Sequence, residues 1–147
     1  MNNKNLIGEV RGSRFPYFNS TNQQIEFKSR PVLIINCEKE HGPCDLTVLP
    51  ISTIPRRQNI NSTYDIFIDI SIYNKLSLKR NCFCRTNKVS TVHSGELTAS
   101  AMGNIKIDYP KLYSEIITKF KVFTDEIRAL CQVVLLAIKS IGEKVIL

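Results

Sequence analysis

Lys28, Arg30, Ser52 and Thr53 are the residues whose types and placing could do chemistry. Pro31 keeps Arg30 out of helical backbone, so the guanidinium sits on extended chain at the entrance of the apolar run VLII at 32–35, which is suited to full burial. A turn around His41, Gly42 and Pro43 leads to a second apolar strand, 46–51, which delivers Ser52 and Thr53. A planar fork of donors facing two hydroxyls is a grip for a phosphate. The same residues also describe an arginine solvating a strand end and two hydroxyls opening a loop, and composition does not separate the two.

Other reactive side chains offer less. Five cysteines are an odd number, which argues against a closed disulfide framework. Cys82 and Cys84 share one face of a strand, and with Cys37, Cys44, His41 and His93 they form no zinc-ligand spacing, so they read as small buried apolar groups. Neither histidine has the neighbours of a catalytic triad. No metal or cofactor is expected.

The formal charge of +7 favours an anionic partner, either nucleic acid or an acidic protein. Lys28 and Arg30 precede the first buried strand, and Arg56 and Arg57 occupy a loop. Lys79 and Arg80 precede a further strand, whose end Arg85 and Lys88 flank. A folded barrel could gather these cations over one face, whereas a solvated surface would merely scatter them. The sequence shows no interleaving of aromatics with the cations of the kind used to bind single strands.

The elements that must position these groups are mainly strands. Residues 6–11 read as a short first strand, and 12–27, polar and interrupted by Pro16, as a long mobile loop. Residues 64–70 place Tyr64, Ile66, Ile68 and Ile70 on one face and Asp65, Phe67 and Asp69 on the other, which is a half-buried strand. Two shorter extended pieces follow at 81–85 and 88–93, before Ser94, Gly95 and Glu96 turn the chain. The period then changes. Asp108 is placed to cap a helix with Pro110 in its first turn, and Tyr113, Ile116, Phe120, Phe123, Ile127, Leu130, Val134, Ala137 and Ile141 form an apolar stripe. That stripe predicts one long helix ending near Gly142, or a helix pair broken near Phe123 and Thr124. A single helix would outreach a small barrel, so its outer half packs on a partner subunit or folds back, the plainer alternative being a helix that only covers its own barrel.

With 147 residues and 43% apolar content the chain fits one compact α+β domain. The expected organisation is a small, partly open barrel over 1–109 and a helical segment over 110–147. MNNKNLIGEV lacks a signal-peptide core, and the apolar stretch 129–138 is far short of a membrane span, so a cytoplasmic protein without membrane contact is expected.

GEV at 8–10, KSRPVLII at 28–35, LTVLPIS at 46–52 and CRTNKVSTVHSGEL at 84–97 together resemble the MazF/PemK family of toxin endoribonucleases from type II toxin–antitoxin systems. The resemblance implies an SH3-like barrel, a homodimer and a cognate antitoxin that neutralises it. It also implies sequence-selective, metal-independent cleavage of single-stranded RNA, such as mRNA, in which the 2′-hydroxyl attacks to leave a 2′,3′-cyclic phosphate. Arg30 then matches the arginine of the family's Arg-Pro motif, Ser52 falls where many members carry a catalytic threonine, and Thr53 is adjacent. Arg85 matches a second arginine near the leaving group, but the aspartate that follows it by two residues in those members is Asn87 here. An amide is no carboxylate base, so the chemistry rests on Arg30 and a hydroxyl, or the chain is an inactive relative. Lys28, Arg56, Arg57, Asn87 and Lys88 are the RNA contacts that follow. The alternative from another class is a non-catalytic binding protein on the same scaffold, like the CcdB toxins. The family's final helix ends near the position of Lys121, so the remaining residues have no counterpart.

Overall fold

A computed structural model describes residues 1–146 of the chain. The centre of the fold is the antiparallel pair β2 (Gln24–Cys37) and β3 (Asp45–Ser52), in register from Val32 opposite Pro50 to Cys37 opposite Leu46. Both faces of this pair are covered, which is why its sequence is apolar without alternation. Leu33, Leu49 and Ile51 enter one core with Val10, Ile66, Ile68, Cys82, Cys84, Leu112 and Ile116. Val32, Ile34 and Val48 enter a second core with Leu6, Cys44, Leu46 and Val92. An irregularity between Ile34 and Asn36 bends β2 where it leaves the centre.

The remaining strands curl the sheet. β1 (Glu9–Asn19) pairs with β2, β4 (Asp65–Ile68) with β5 (Cys82–Arg85), and β7 (Gly103–Asn104) with the start of β1. One edge of β3 is divided: β6 (Ser90–His93) takes its first half and β5 its last two residues. The result is a curled antiparallel half-barrel of seven strands with a C-terminal helix, a mixed α+β fold.

Three expectations are corrected here. The chain does not enter a strand at Leu6; Asn3–Leu6 is a 3-10 turn capped by Asn2, and β1 starts at Glu9 after Gly8 turns at φ 96°. Residues 12–27 are not a loop but most of a long hairpin, paired from Gly12 opposite Pro31 to Asn19 opposite Gln24. Its strands bury little, so its side chains hold one another across the ladder. Glu26 accepts from Tyr17, Asn19 and Asn22, while the Arg14 guanidinium lies 4.1 Å from the centre of the Phe27 ring. Pro16 is tolerated because β1 has no paired strand on its other side there.

The third correction concerns the helix. Asp108 ends the short helix α1 (Ile105–Asp108), which Asn104 caps, and pairs with Lys75 rather than capping α2 (Pro110–Ile146). α2 runs unbroken for 37 residues, about 55 Å. Thr124 does not start a new helix, because its hydroxyl donates to the Lys121 carbonyl within the existing one. Gly142 does not stop it either, since a terminating glycine takes positive φ and Gly142 does not. Leu112 and Ile116 seat α2 on the core, Phe120 packs beside them, and Phe123 meets the Tyr64 ring edge-on while the Tyr64 hydroxyl donates to Glu126. No helix among the described residues is long and apolar enough to cross a membrane.

Candidate functional site

Arg30 lies midway along β2, which begins at Gln24 rather than beside Pro31, and continuing the register of β2 with β3 places it opposite Ser52, the last residue of β3. Arg30 Nη1 donates to Ser52 Oγ at 3.3 Å. Both residues are half-buried, so the guanidinium is held beside the end of β3 yet keeps donors free for a ligand. They open onto a groove of about 580 Å³, also lined by Thr53, Lys28, Lys79 and Arg80 over an apolar floor that includes Ile51, Cys82 and Met102. Every charged side chain on these walls is a cation.

A second groove of about 420 Å³ shares Gly12, Lys28 and Ser29 with the first and runs up the hairpin past Ser13, Arg14, Phe27, Glu96 and Thr98. Gly12 is required where the two meet. A Cβ there would stand 2.8 Å from Thr98 Cγ2, and the Gly12 N–H already donates to Thr98 Oγ1 at 3.1 Å. Ser13 Oγ, at the wall of this groove, is buried without a hydrogen-bond partner. Phe18, Ile25 and Phe27 are exposed along the hairpin, and the Lys28 ammonium lies 4.3 Å from the Tyr17 ring centre. Each face of the hairpin thus sets one cation over one ring, Arg14 on Phe27 and Lys28 on Tyr17, through a cross-strand register that is invisible in a linear chain.

The other candidates lie elsewhere. Arg85 does not line the groove: its Nε donates to Asp65 Oδ1 at 3.2 Å and its Nη2 to the Asn59 carbonyl at 3.3 Å. Asp65 is its register partner across β4 and β5, and its side chain is fully buried. The carboxylate missing at Asn87 is thus supplied to Arg85 by Asp65, which holds it as part of the sheet. Asn87 sits in the turn after β5 with its side-chain oxygen buried and unpartnered, and Lys88 is exposed beside it. Arg56 and Arg57 are exposed at the 3-10 turn Arg57–Asn59 and do not reach the groove walls.

Lys79 and Arg80 are groove residues that the sequence reading left among general surface cations. Their signal was their position just before β5, whose last partner is the end of β3. Cys82 and Cys84 are inert packing: burial pushes the Cys82 thiol up to about 11 and the Cys84 thiol higher still. Among the described residues no group of three or more His, Cys, Asp or Glu side chains is placed to hold a metal ion.

No protein-family model matches the chain, and no curated protein matches its sequence. The likeness to the MazF/PemK family therefore rests on the segments quoted above.

Proposed function

We propose that this chain is a metal-independent endoribonuclease of the MazF/PemK kind, built on an SH3-like barrel, acting as a homodimer in the cytoplasm and neutralised by a cognate antitoxin. The observation that carries the reading is the Arg30–Ser52 contact at the mouth of a cation-walled groove. Single-stranded RNA lies along the joined grooves, its phosphates on Lys28, Lys79 and Arg80 and its bases against the hairpin aromatics. The scissile phosphate displaces Ser52 from Arg30, and the guanidinium takes two of its oxygens as negative charge builds on them. Ser52 or Thr53 donates to the same phosphate. The adjacent 2′-hydroxyl loses its proton to water and forms the new P–O bond as the P–O5′ bond breaks, and the departing 5′-oxygen takes a proton from water, giving a 2′,3′-cyclic phosphate and a 5′-hydroxyl. Arg30 acts as an electrostatic clamp, because a guanidinium does not give up its proton near neutral pH.

One observation favours a second reading. The groove holds no carboxylate or imidazole on its walls, and Arg85 is already committed to Asp65. A CcdB-like binding protein would need only the cations. The two readings separate when purified protein and its Arg30→Ala variant are incubated with a long unstructured RNA in chelator and the ends are mapped. Cutting that leaves cyclic phosphates and disappears in the variant supports the nuclease. Binding without cutting supports the binding protein, and equal cutting by both proteins removes Arg30 from the chemistry.

A further inference from the structure

Beyond Glu126 the long helix leaves its own body. Ile127, Leu130, Val134, Ile138 and Ile141 are 46 to 68% exposed. At about 100° per residue these five lie within roughly 40° of the line through Ile116, the residue that seats α2 on its core. The apolar stripe that fixes the first half of the helix therefore continues past the sheet with no side chains beneath it. Val133 and Leu135 flank it at about 100° to either side, whereas Leu136 lies on the opposite face of the helix.

Charge, exposure and geometry together select the occupant. The outer half carries Asp125, Glu126 and Glu143 against Arg128, Lys139 and Lys144, so two copies meet there without the repulsion that a net charge of +7 gives the whole chain. An acidic partner would be drawn instead to the groove cations. All five stripe residues are about half exposed or more, and a facing helix from a second copy would cover them on both copies at once. The stripe faces the side on which the helix carries its own sheet. A second helix laid parallel to it would drive its first half into that sheet, whereas an antiparallel one carries its sheet to the far end.

We propose that the outer halves of α2 from two copies of this chain pack antiparallel about a twofold axis that crosses the stripe midway between Val134 and Ala137. In the register that overlaps the two halves fully, Leu130 meets Ile141 of the second copy and Val134 meets Ala137 of the second copy, large against small. This names a surface that the homodimer implied by the family resemblance does not, and it holds whether or not the groove cuts RNA.

Light scattering of the full chain and of Leu130→Lys/Val134→Lys, with circular dichroism to verify the fold, gives the first arm of the test. The wild type is expected at twice the mass of the variant. The second arm mixes Leu130→Cys with Ile141→Cys, both in a Cys131→Ser background, under mild oxidation with peptide mapping. Antiparallel packing gives the mixed disulfide in excess over either self-linked product. Equal masses for wild type and variant overturn the proposal, as do self-links from each single variant, which report parallel helices. A monomeric wild type overturns it too, whether free or captured by lipid vesicles. If the lysine variant fails to fold, the disulfide pattern alone decides.

Discussion

Removing Arg85 is expected to damage the fold rather than the groove. Its side chain is 23% exposed and its Nε lies 3.2 Å from an Asp65 carboxylate with no exposed area. Arg85→Ala strands that carboxylate with one remaining donor, the Asn61 N–H at 2.8 Å. Breaking a buried pair from one side costs about 3–5 kcal/mol, and the surviving bond puts this case at the lower end, about 3 kcal/mol. Asp65→Ala costs less, about 2 kcal/mol, because the half-exposed guanidinium can turn to water while the Asn59 carbonyl still accepts from it. The double variant leaves no unpaired charge and is expected to lose about 3 kcal/mol, which makes the coupling roughly 2 kcal/mol. Urea unfolding of the four proteins, followed by far-ultraviolet circular dichroism with matching slopes, measures each term. Losses that add to within about 0.5 kcal/mol would refute the pairing. So would an Arg85→Ala protein of unchanged stability.

Three further outcomes follow from the same contacts. Ile116→Ala, at a site with no exposed surface under α2, is expected to cost about 3 kcal/mol in urea unfolding, and a loss below about 1 kcal/mol would contradict the seating of the helix. Cys82, held up at about 11 by burial, and Cys84 are expected to resist alkylation at pH 8 until urea is added, while half-buried Cys37 reacts in the native protein; mass spectrometry of the peptides reads this directly. Hydrogen bonds from Tyr17, then Asn19 and Asn22, hold the Glu26 carboxyl below the usual glutamate range. A depressed folded value means that its support of the hairpin tip is complete above the unfolded pKa of about 4.3 and is lost as pH falls through the lower folded value. Protection of the Asn19 and Gln24 amides, corrected for the intrinsic pH dependence of exchange, should therefore fall as pH drops through that window, and Glu26→Gln should remove the dependence; protection unchanged across it would contradict it.

The parts of the fold that sequence reveals are those in which burial dictates residue type. VLII at 32–35 and the strand ending at Ser52 are covered on both faces, so their apolar runs and the meeting of their ends were readable. The helix stripe was readable for the same reason, although Gly142 and Thr124 gave false end signals because a long helix tolerates both. The hairpin was hidden. Its side chains satisfy one another across strands instead of packing into a core, so Phe27, Arg14, Tyr17 and Lys28 carry no local pattern. The role of Arg85 was hidden too, since Asp65 stands 20 residues away and only the register of β4 and β5 brings them together.

Single-turnover cleavage of an unstructured RNA in chelator, compared between wild type, Arg30→Ala and Arg85→Ala and corrected for the folded fraction, tests the assignment of the chemistry to the groove most directly. Arg30→Ala is expected to slow cleavage by about 10²–10³, the loss typical of removing one charge-stabilising donor, and the folded Arg85→Ala protein to cut within a few-fold of wild type. A folded Arg85→Ala protein that no longer cuts, beside an Arg30→Ala protein that does, would contradict it.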